Sequence, residues 1–568
     1  MDEQLEEQKK QDPERVWAEY EKGVAFKQQL NLYDTVKVNE DFYVGKQWEG
    51  VQANGLPTPV FNYIKRIILF LVASTATDNV KMSASPLASG GQMTADMEQL
   101  SQVVNAQFEG LFEQNKIGKL IREFMRNAAV DGDACLYSWF DPDVETGQTA
   151  QGAIRTELLD NIRVIFGNPN SHLVQEQPWL IISRREQLKD VRREVKENGG
   201  DPEQVRADTD EANDRFDAMT DGKVTTLLKL WKDQKSGSVR AIKTVQGAVV
   251  RQAWDTGQKK YPIVWMSWDR VPNCYHGQAA VTGLIPNQIF VNKMFAMTMI
   301  SLMTTAYPKV IYDKTRIARW DSGVGKAIGV NLGSGSINDV AKTIDPAVIS
   351  PQVSQFIELA ISLTKEFMGA TDAALGNVKP DNTSAIIAMQ KASQVPMELT
   401  KQDLFQCVED LGYIWLDLMR AYYGQRFVEL PVPEEQKQAA AQMGIQLPDS
   451  AVTPFDFGTL DRAALSLKLD VGGSAYWSEI AQMNTLDNLL MNNQITIVDY
   501  LERVPNGYIS SQQELIDTLK ERQMMMSMPQ GASGTIGAAT GQEIDPALSA
   551  GYQTLARKAV EQDAGKLM

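Results

Sequence analysis

The chain has 568 residues, 43% of them hydrophobic and 23% charged, which is enough for roughly two to four folded domains around a sizeable core. Its formal net charge of −16 argues against a protein that grips nucleic acid along its whole surface, but not against one that lets DNA slide past. Three cysteines and two histidines offer little material for a disulfide framework, a zinc site or histidine-based catalysis.

The first part of the chain is predicted to contain helices followed by a buried strand. Residues 1–36 are acidic and predict a solvated lead helix with no signal peptide. Residues 41–50, DFYVGKQWEG, predict an aromatic cluster that closes a small core. Helices are predicted within 55–74 and 92–128, and a strand buried on both faces is predicted within NAAVDGDACLYSWFDPD, residues 127–143.

Residues 154–270 predict mostly short strands, interrupted by one charged segment. The β-rich runs are RVIFGNP, WLIISRR, TTLLKLWKD, AIKTVQ, AVVRQAW and YPIVWMSW. The charged segment, residues 186–222, predicts a solvated helical excursion. Its carboxylates miss the spacing of a calcium loop and no glycine turn follows them, so a metal site is not predicted there.

The most apolar stretch is VTGLIPNQIFVNKMFAMTMISLMTTAY, residues 281–307, and it predicts a helix that is buried on most sides. Pro286 suits the first turn of such a helix. A membrane span is disfavoured because polar residues between positions 287 and 293 interrupt the run. Two alternatives remain open on this segment: a core helix of a large domain, and a helix packed against copies of itself in a ring.

Residues 307–346 are rich in glycine and in β-forming residues, and their cations outnumber their acids. A basic β-module in an acidic protein predicts a place where acidic partners bind. A phosphate loop is not predicted, because Gly323-Val-Gly-Lys-Ala lacks a serine or threonine after the lysine and a glycine five residues before it.

The following segments alternate between helix and loop. Residues 351–370 predict a helix with one apolar face, and residues 369–385 predict a loop broken by glycines. Residues 384–423 predict a very long helix, which Pro396 should kink because a proline removes one backbone hydrogen bond.

The C-terminal part is predicted to be more mixed. Short strands are predicted in residues 426–476, with RFVELPV and LSLKLDV as the runs that favour them. Helices are predicted in residues 477–523, linked by TIVDYLERVPNG, and a flexible tail of low complexity follows from residue 527.

Catalytic motifs are missing from the sequence. It contains no GxSxG, Walker A or HExxH pattern, and neither His172 nor His276 has a partner at metal-ligand spacing. The sequence therefore predicts a protein that is not an enzyme and that uses no cofactor or metal ion.

The order of these segments resembles the portal (head–tail connector) proteins of tailed bacteriophages and related viruses. The stretches that carry the resemblance are DFYVGKQW, NAAVDGDACLYSWFDPD, GLIPNQIFVNKMFAMTMISLMTTAYPKVIYD, GATDAALGNVKPDNTSAIIAMQ and TIVDYLERVPNG. The resemblance covers residues 30–523, and its specificity lies in the order and spacing of these stretches rather than in any one of them.

The resemblance implies an α+β fold, predominantly helical, that forms a ring oligomer with a central channel. The implied domains are an N-terminal wing of mixed α/β structure (1–275), a first stem helix (276–306), a basic β-rich clip (307–350), a second stem helix (351–370), a tunnel loop (371–384), a kinked long helix with a return to the wing (385–476), crown helices (477–526) and a flexible tail (527–568).

The resemblance also implies what the ring does. About twelve copies would close a ring at one capsid vertex, and double-stranded DNA would pass through its channel during packaging and ejection. The terminase large subunit would dock on it first and tail adaptor or head-completion proteins later, with major capsid and scaffolding proteins as neighbours. The implied location is the virion, or the host cytoplasm during assembly, without membrane insertion.

Three sets of residues are candidates for these roles. The stem-packing set is Ile285, Ile289, Phe295, Met299, Met303, Phe356 and Ile361. The tunnel-loop set, which would touch the DNA backbone without reading bases, is Lys365, Asn377, Lys379, Asn382 and Thr383. The docking set in the clip is Lys314, Arg316, Arg319 and Lys326.

Two alternatives come from other classes of protein. The first is an oligomeric capsid or tail component without a DNA channel, which would not need two stem helices with a loop after them. The second is an enzyme such as a nucleotide-driven motor or a nuclease, and the missing phosphate loop and scarce histidines argue against it.

Overall fold

The computed structural model shows a mixed α and β chain. It describes residues 12–76, 80–86, 95–148, 150–210, 222–305, 310–321, 323, 326, 328–330, 335–343, 352–369, 383–431, 450–462, 465–471, 486–487, 489–492, 494–504, 515–516 and 518–520. The chain divides into two compact units, Met1–Ser474 and Ala475–Met568. All elements named below belong to the first unit except the helix α10.

Helices and sheets alternate along the described chain. The helices are α1 (Pro13–Gln29), α2 (Leu32–Val44), α3 (Tyr63–Thr75), α4 (Ala95–Gln114), α5 (Ile117–Asp131), α6 (Leu188–Glu197), α7 (Ala280–Thr305), α8 (Gln352–Phe367), α9 (Thr383–Tyr422) and α10 (Ile497–Arg503). The strands are β1 (Val80–Pro86), β2 (Asp133–Asp141), β3 (Ala153–Leu159), β4 (Val164–Phe166), β5 (Trp179–Gln187), β6 (Lys223–Lys232), β7 (Val239–Val245), β8 (Ala248–Asp255), β9 (Ile263–Ser267), β10 (Val310–Tyr312), β11 (Ala341–Thr343), β12 (Gln425–Pro431), β13 (Ser450–Asp456) and β14 (Leu465–Val471).

The β-rich runs predicted between residues 154 and 270 are confirmed as strands. β4 to β8 form an antiparallel sheet in sequential order, and β5 pairs with β6 over its whole length, from Trp179 opposite Trp231 to Gln187 opposite Lys223. Apolar residues lie on both faces of this sheet, so helices must cover it. α6 confirms a helix in the charged excursion, whereas residues 211–221 lie outside the described part of the chain.

The N-terminal helix covers one face of that sheet. Val16 and Tyr20 of α1 are buried in a cluster with Ile181, Leu227 and Trp231. The prediction of a solvated helix over residues 1–36 is therefore wrong for its described part. The acidic composition is misleading here, because only one stripe of α1 needs to be apolar in order to dock.

The described part of this N-terminal region is also two helices rather than one. Asp12 begins α1 by accepting a hydrogen bond from the backbone N–H of Glu14 (3.1 Å). The break before α2 falls at Asn31, whose φ of +54° lies in the left-handed region that asparagine tolerates better than most residues.

The main core lies between helices and a three-stranded sheet of order β3-β2-β9. β2 is buried on both faces along most of its length, as predicted. The turn before it needs Gly132, which has a φ of +97°, and a Cβ there would come within 3.0 Å of the Gly277 carbonyl oxygen. α9 crosses this core and buries Leu404, Leu411 and Trp415.

Two small sheets complete the first unit. β1 pairs with β14, and β12 pairs with β13. Gln148 binds the outer edge of β12: its side-chain amide accepts from the backbone N–H of Phe427 and donates to the Phe427 carbonyl oxygen, both at 3.0 Å. Pro454 faces Phe427 across the pair and has no N–H. The two runs that favour strands in residues 426–476 form β12 and β14, and β13 is a further strand that neither run covers.

In the second unit, α10 lies within TIVDYLERVPNG, which was predicted as a link between helices. Thr496 and Asp499 form a capping box at its start, with each side chain bound to the other residue's backbone N–H. Val498 and Leu501 pack with Ile516 in a small cluster. A short helix is therefore present where a connection was expected.

A buried charged cluster joins α1 to the sheets. The ammonium group of Lys27 is fully buried and donates to the carbonyl oxygens of Asn161, Ile162 and Val164 at 2.7–3.0 Å. Burial lowers its pKa to about 7, against the opposing attraction of Asp133.

Asp133, also buried, accepts three hydrogen bonds. The donors are the Ser267 hydroxyl (2.7 Å), the Gly277 backbone N–H (2.8 Å) and Nδ1 of His276 (2.7 Å). Nε2 of His276 is buried without a hydrogen-bond partner in the described part of the chain. The histidine is therefore adapted to its neutral form.

A pH dependence follows from this histidine. Burial lowers the pKa of His276, against the opposing attraction of Asp133 and with a smaller contribution from the charge of Lys27. As pH falls below about 6.5, the unfolded state takes up a proton that the folded state does not, so the free energy of unfolding decreases by up to ~1.4 kcal/mol per pH unit. Thermal unfolding from pH 7.5 to 5 should therefore show a smaller pH dependence in His276→Asn than in the unmodified protein. His172→Asn, at the less buried histidine, should retain most of that dependence.

A second prediction concerns the ion pair that fixes α1 to the sheet. Glu19 pairs with the buried ammonium of Lys229, which also lies 5.7 Å from the Trp179 ring and 6.0 Å from the Trp231 ring. Glu19→Ala should lower the free energy of unfolding by about 3–5 kcal/mol, because a buried cation loses its carboxylate. Asp41→Ala, which removes the partner of the exposed Lys37, should cost less than about 1 kcal/mol. Urea denaturation measures both, and equal losses would contradict the assignment.

Candidate assembly helices and docking module

The apolar stretch forms α7, which starts at Ala280 rather than at Val281 and contains 26 residues. Pro286 lies inside the helix and not in its first turn, so the predicted role of this proline is wrong. Within the described chain, no helix is long and apolar enough to cross a membrane.

The two halves of α7 differ in burial. Val281, Leu284 and Val291 in the first half are buried in the main core. In the second half, Met297 and Met303 are each 60% exposed. The helix is therefore a core helix at its start and a surface helix within one chain at its end, and its packing against copies of itself stays a prediction.

The polar residues that interrupt the apolar run form a chain of buried amides. Gln288 donates through Nε2 to the carbonyl oxygen of Phe61 (2.9 Å) and to Oδ1 of Asn292 (3.0 Å). Asn292 in turn donates to Oε1 of Gln47 (2.6 Å), and Gln47 donates to the carbonyl oxygen of Phe42 (3.0 Å). These contacts attach the segment after α2 to α7, since a buried amide needs its partners.

The predicted aromatic cluster of residues 41–50 belongs to the same attachment. Phe42 and Tyr43 pack against the main core. Gly45 ends α2 with a φ of +102°, and the indole N–H of Trp48 donates to the carbonyl oxygen of Pro59 (2.9 Å). The cluster therefore supports α7 instead of closing a small core of its own.

α8 packs beside α7 with part of its apolar surface. Asn287 donates to the hydroxyl of Thr364 (3.1 Å), and Ile357 and Thr364 are buried. Phe356, which was predicted to share their face, is 59% exposed. The apolar residues of α8 therefore divide between the chain's own core and the outside.

We call the exposed apolar residues in the second half of α7 and on α8 the apolar strip. It consists of Met297, Met299, Leu302 and Met303 on α7 and of Phe356, Leu359 and Leu363 on α8. The predicted stem-packing residues fall into three groups. Met299, Met303 and Phe356 belong to the strip, and Ile289 is half-buried. Ile285, Phe295 and Ile361 are partly buried and pack against the chain's own core. Exposed apolar surface on this scale typically marks a protein–protein contact.

The basic segment forms a small module, which we call the docking module (residues 310–343). β10 pairs with β11, and the Tyr312 and Trp320 rings stack with centroids 5.6 Å apart. Ile317 and Val340 are its buried residues, whereas Ile311 and Ile337 are exposed.

The four predicted docking cations are all exposed, but they are not equivalent. Arg316 pairs with Asp313 (3.6 Å), and Lys326 pairs with Asp321 (2.8 Å). Lys314 and Arg319 make no ion pair with any residue that the structure describes. Among these four cations, Lys314 and Arg319 therefore keep their full charge for a partner.

The predicted tunnel-loop residues are not brought together in the described structure. Lys365 is half-buried in the last turn of α8, and Thr383 is the first residue of α9. Asn377, Lys379 and Asn382 lie outside the described residues. α9 is a single 40-residue helix, and its predicted kink at Pro396 stays a prediction.

Sequence reasoning missed the pairing of buried amides and the division of each helix into core and outer faces. The only sequence signal for the paired amides is that Gln288 and Asn292 lie four residues apart, which places them on the same side of a helix.

Within the described ranges, no group of three or more histidine, cysteine, aspartate or glutamate residues is arranged to hold a metal ion.

A comparison of the sequence with models of known protein families gives one match. A family model described as Phage P22-like portal protein matches residues 183–532, which is more than half of the chain. The matched range runs from β5 through both helices of the apolar strip, the docking module and α9 into the second unit. No curated protein matches the chain.

The amide chain leads to a testable coupling. Gln47→Ala leaves the buried Asn292 amide without its acceptor and should lower the free energy of unfolding by about 1–3 kcal/mol. Asn292→Ala should have a similar effect, and the double variant should lose less than the sum, because both changes remove the same contact. Urea denaturation of the four proteins measures the coupling. Gln52→Ala, at an exposed glutamine of the same segment, is the matched control and should have little effect.

Proposed function

Because the chain belongs to the family of phage P22-like portal proteins, we propose that it forms a closed ring of about twelve copies at one vertex of a phage capsid. Portal proteins are structural head–tail connectors that act in genome packaging. In this proposal, double-stranded DNA passes through the central channel during packaging and ejection, and the chain itself has no enzymatic activity.

The apolar strip is the observation that carries this proposal. Two adjacent helices of this acidic chain expose three methionines, three leucines and a phenylalanine. An exposed apolar surface of this extent is typical of a site that another protein surface covers. Lys293 is the only charged residue of α7, so copies of this helix can approach each other without desolvating many charges. A contact between different faces of identical chains closes into a ring when its rotation permits.

In this ring, α7 and α8 form the stem, and residues 371–384 form a loop that faces the DNA. The net charge of −16 per chain, repeated around the ring, repels phosphate and keeps DNA from adhering to the channel. Weak, sequence-independent contacts come from Lys365, Asn377, Lys379, Asn382 and Thr383.

The docking module is proposed as the surface that meets the terminase large subunit and, later, the tail adaptor. Its unpaired cations Lys314 and Arg319 supply long-range attraction to acidic partners, and exposed Ile311 and Ile337 supply apolar contact beside them. Major capsid and scaffolding proteins are proposed as further partners in the virion and in the host cytoplasm during assembly.

Ring formation is tested by placing charge on the strip. Met297→Asp combined with Phe356→Asp should prevent the ring, because each copy would have to bury an uncompensated carboxylate. Light scattering should give about twelve times the 63.2 kDa chain mass for the unmodified protein, with a central hole in negative-stain images, and a much smaller species for the variant.

The matched control is Leu173→Asp combined with Val271→Asp, which adds the same two charges at exposed apolar residues outside both helices. It should assemble like the unmodified protein. A stable dimer or tetramer without a hole in the unmodified protein would contradict the proposal and would favour a capsid or tail component without a DNA channel.

The proposed tunnel loop is tested by deleting residues 371–384. Assembly measured by light scattering should be unaffected, because the strip lies elsewhere, whereas the amount of DNA packaged or retained in particles should fall. Normal packaging and retention in the deletion variant would show that the loop does not have the proposed role.

A further inference from the structure

A polar cavity lies where three distant parts of the first unit meet, and the proposed function makes no use of it. Its volume is ≈ 200 Å³. The side chains relevant here are Gln107 and Gln114 from α4, Thr146 and Gln148 from the loop between β2 and β3, and Tyr423 and Arg426 after the end of α9. No aspartate or glutamate is among the described residues that line it.

Arg426 is a buried cation without a carboxylate partner. It is only 7% exposed, and it forms no ion pair with any residue in the described part of the chain. Its Nη2 donates to the carbonyl oxygens of Gly152 (2.8 Å) and Gln151 (3.3 Å), and its guanidinium carbon lies 3.8 Å from the centroid of the Tyr423 ring. Nη1 has no acceptor among the described residues, although Arg426 lines the cavity.

Lys27 is also bound by carbonyl oxygens alone, but its ammonium has three acceptors, whereas Nη1 of Arg426 has none among the described residues. The two remaining buried cations have carboxylate partners. Arg185 pairs with Asp208, and Lys229 pairs with Glu19. A buried charge without a counter-ion is costly, and carbonyl oxygens and a ring face compensate it only in part. An anion in the cavity would supply the missing negative charge. The chain has 72 acidic and 56 basic residues, so the absence of a carboxylate beside Arg426 in the described structure does not reflect a lack of acidic residues.

We propose that this cavity binds a small oxyanion of the phosphate or sulfate type. Nη1 of Arg426 is its charged donor, and the amides of Gln107 and Gln114 are neutral donors around it. The hydroxyl of Thr146 donates to the carbonyl oxygen of Ala150 (3.5 Å) and takes no part. The amide of Gln148 is already bound to the backbone of Phe427 and takes no part.

The occupant is a free ion rather than a phosphate of duplex DNA. Arg426 is only 7% exposed as a residue and lines a cavity of ≈ 200 Å³, which admits a small ion but not a wide, stiff double helix. A free ion in the cavity connects α4, the β2–β3 loop and the start of β12, so its binding should stabilise the folded chain.

The test uses the full-length protein and potassium phosphate, with potassium chloride at the same ionic strength as the reference. Phosphate should raise the unfolding temperature in a saturable way and give a dissociation constant by calorimetry. Arg426→Gln should weaken this binding at least about tenfold, because a hydrogen bond from a charged donor is lost. Arg251→Gln is the matched control: this exposed arginine also stacks on an aromatic ring, Trp254 at 4.0 Å, but it does not line the cavity.

A second variant keeps the test decisive if Arg426→Gln does not fold. Gln107→Leu combined with Gln114→Leu retains the arginine and should also weaken phosphate binding. The absence of saturable binding in the unmodified protein, unchanged binding in the glutamine variant, or an equal loss in Arg251→Gln would overturn the proposal. Duplex DNA in place of phosphate should not reproduce the effect, and if it did, the free-ion assignment would be wrong.

Discussion

The rotation of α7 about its own axis is the constraint on which the rest of the structure depends. Gln288 and Asn292 can be buried only if their amides meet Phe61 and Gln47, and this fixes which side of the helix faces inward. A slip of one residue would rotate every side chain by about 100° and leave those amides without partners. The same contacts therefore decide that Met297 and Met303 lie outside, in the apolar strip proposed for assembly.

The distribution of charge follows a similar logic. Lys27, Lys229 and Arg185 are buried and attach peripheral segments to the sheets, through carbonyl oxygens in the first case and carboxylates in the other two. Arg185 and Lys229 are withdrawn from the surface together with Asp208 and Glu19, so these pairs leave the acidic balance of the surface unchanged. An acidic surface of this kind fits the proposed passage of DNA without tight binding.

Much of the β-structure could be predicted from local sequence. Strands such as β5 and β6 are apolar runs bounded by polar or turn residues, and that pattern does not depend on distant parts of the chain. The failures are positions where a distant partner decides. α1 is acidic, yet Val16 and Tyr20 are buried because a sheet more than 140 residues later along the chain provides their partners. β13 lies outside the two runs that favour strands in this region, and its strand depends on pairing with β12.

The candidate site shows the same limit. Periodicity placed Ile357 and Phe356 on one apolar face of α8, but it could not tell which of them packs on the chain itself and which remains exposed. Composition identified the docking module as basic, but Asp313 and Asp321 neutralise Arg316 and Lys326 through contacts that depend on the local fold. The family, in contrast, was accessible from sequence because it rests on the order of whole segments.

The two outer edges of the β12–β13 pair affect how copies of this chain can lie side by side. An unpaired strand edge is a template for further strands, and that hazard grows when many copies of one chain are held side by side. Here the Gln148 amide occupies the backbone groups of Phe427 on one edge, and Pro454 offers no N–H on the other. Both devices discourage a strand from a neighbouring copy from joining this sheet, so a large assembly can grow through its helices without polymerising through its strands.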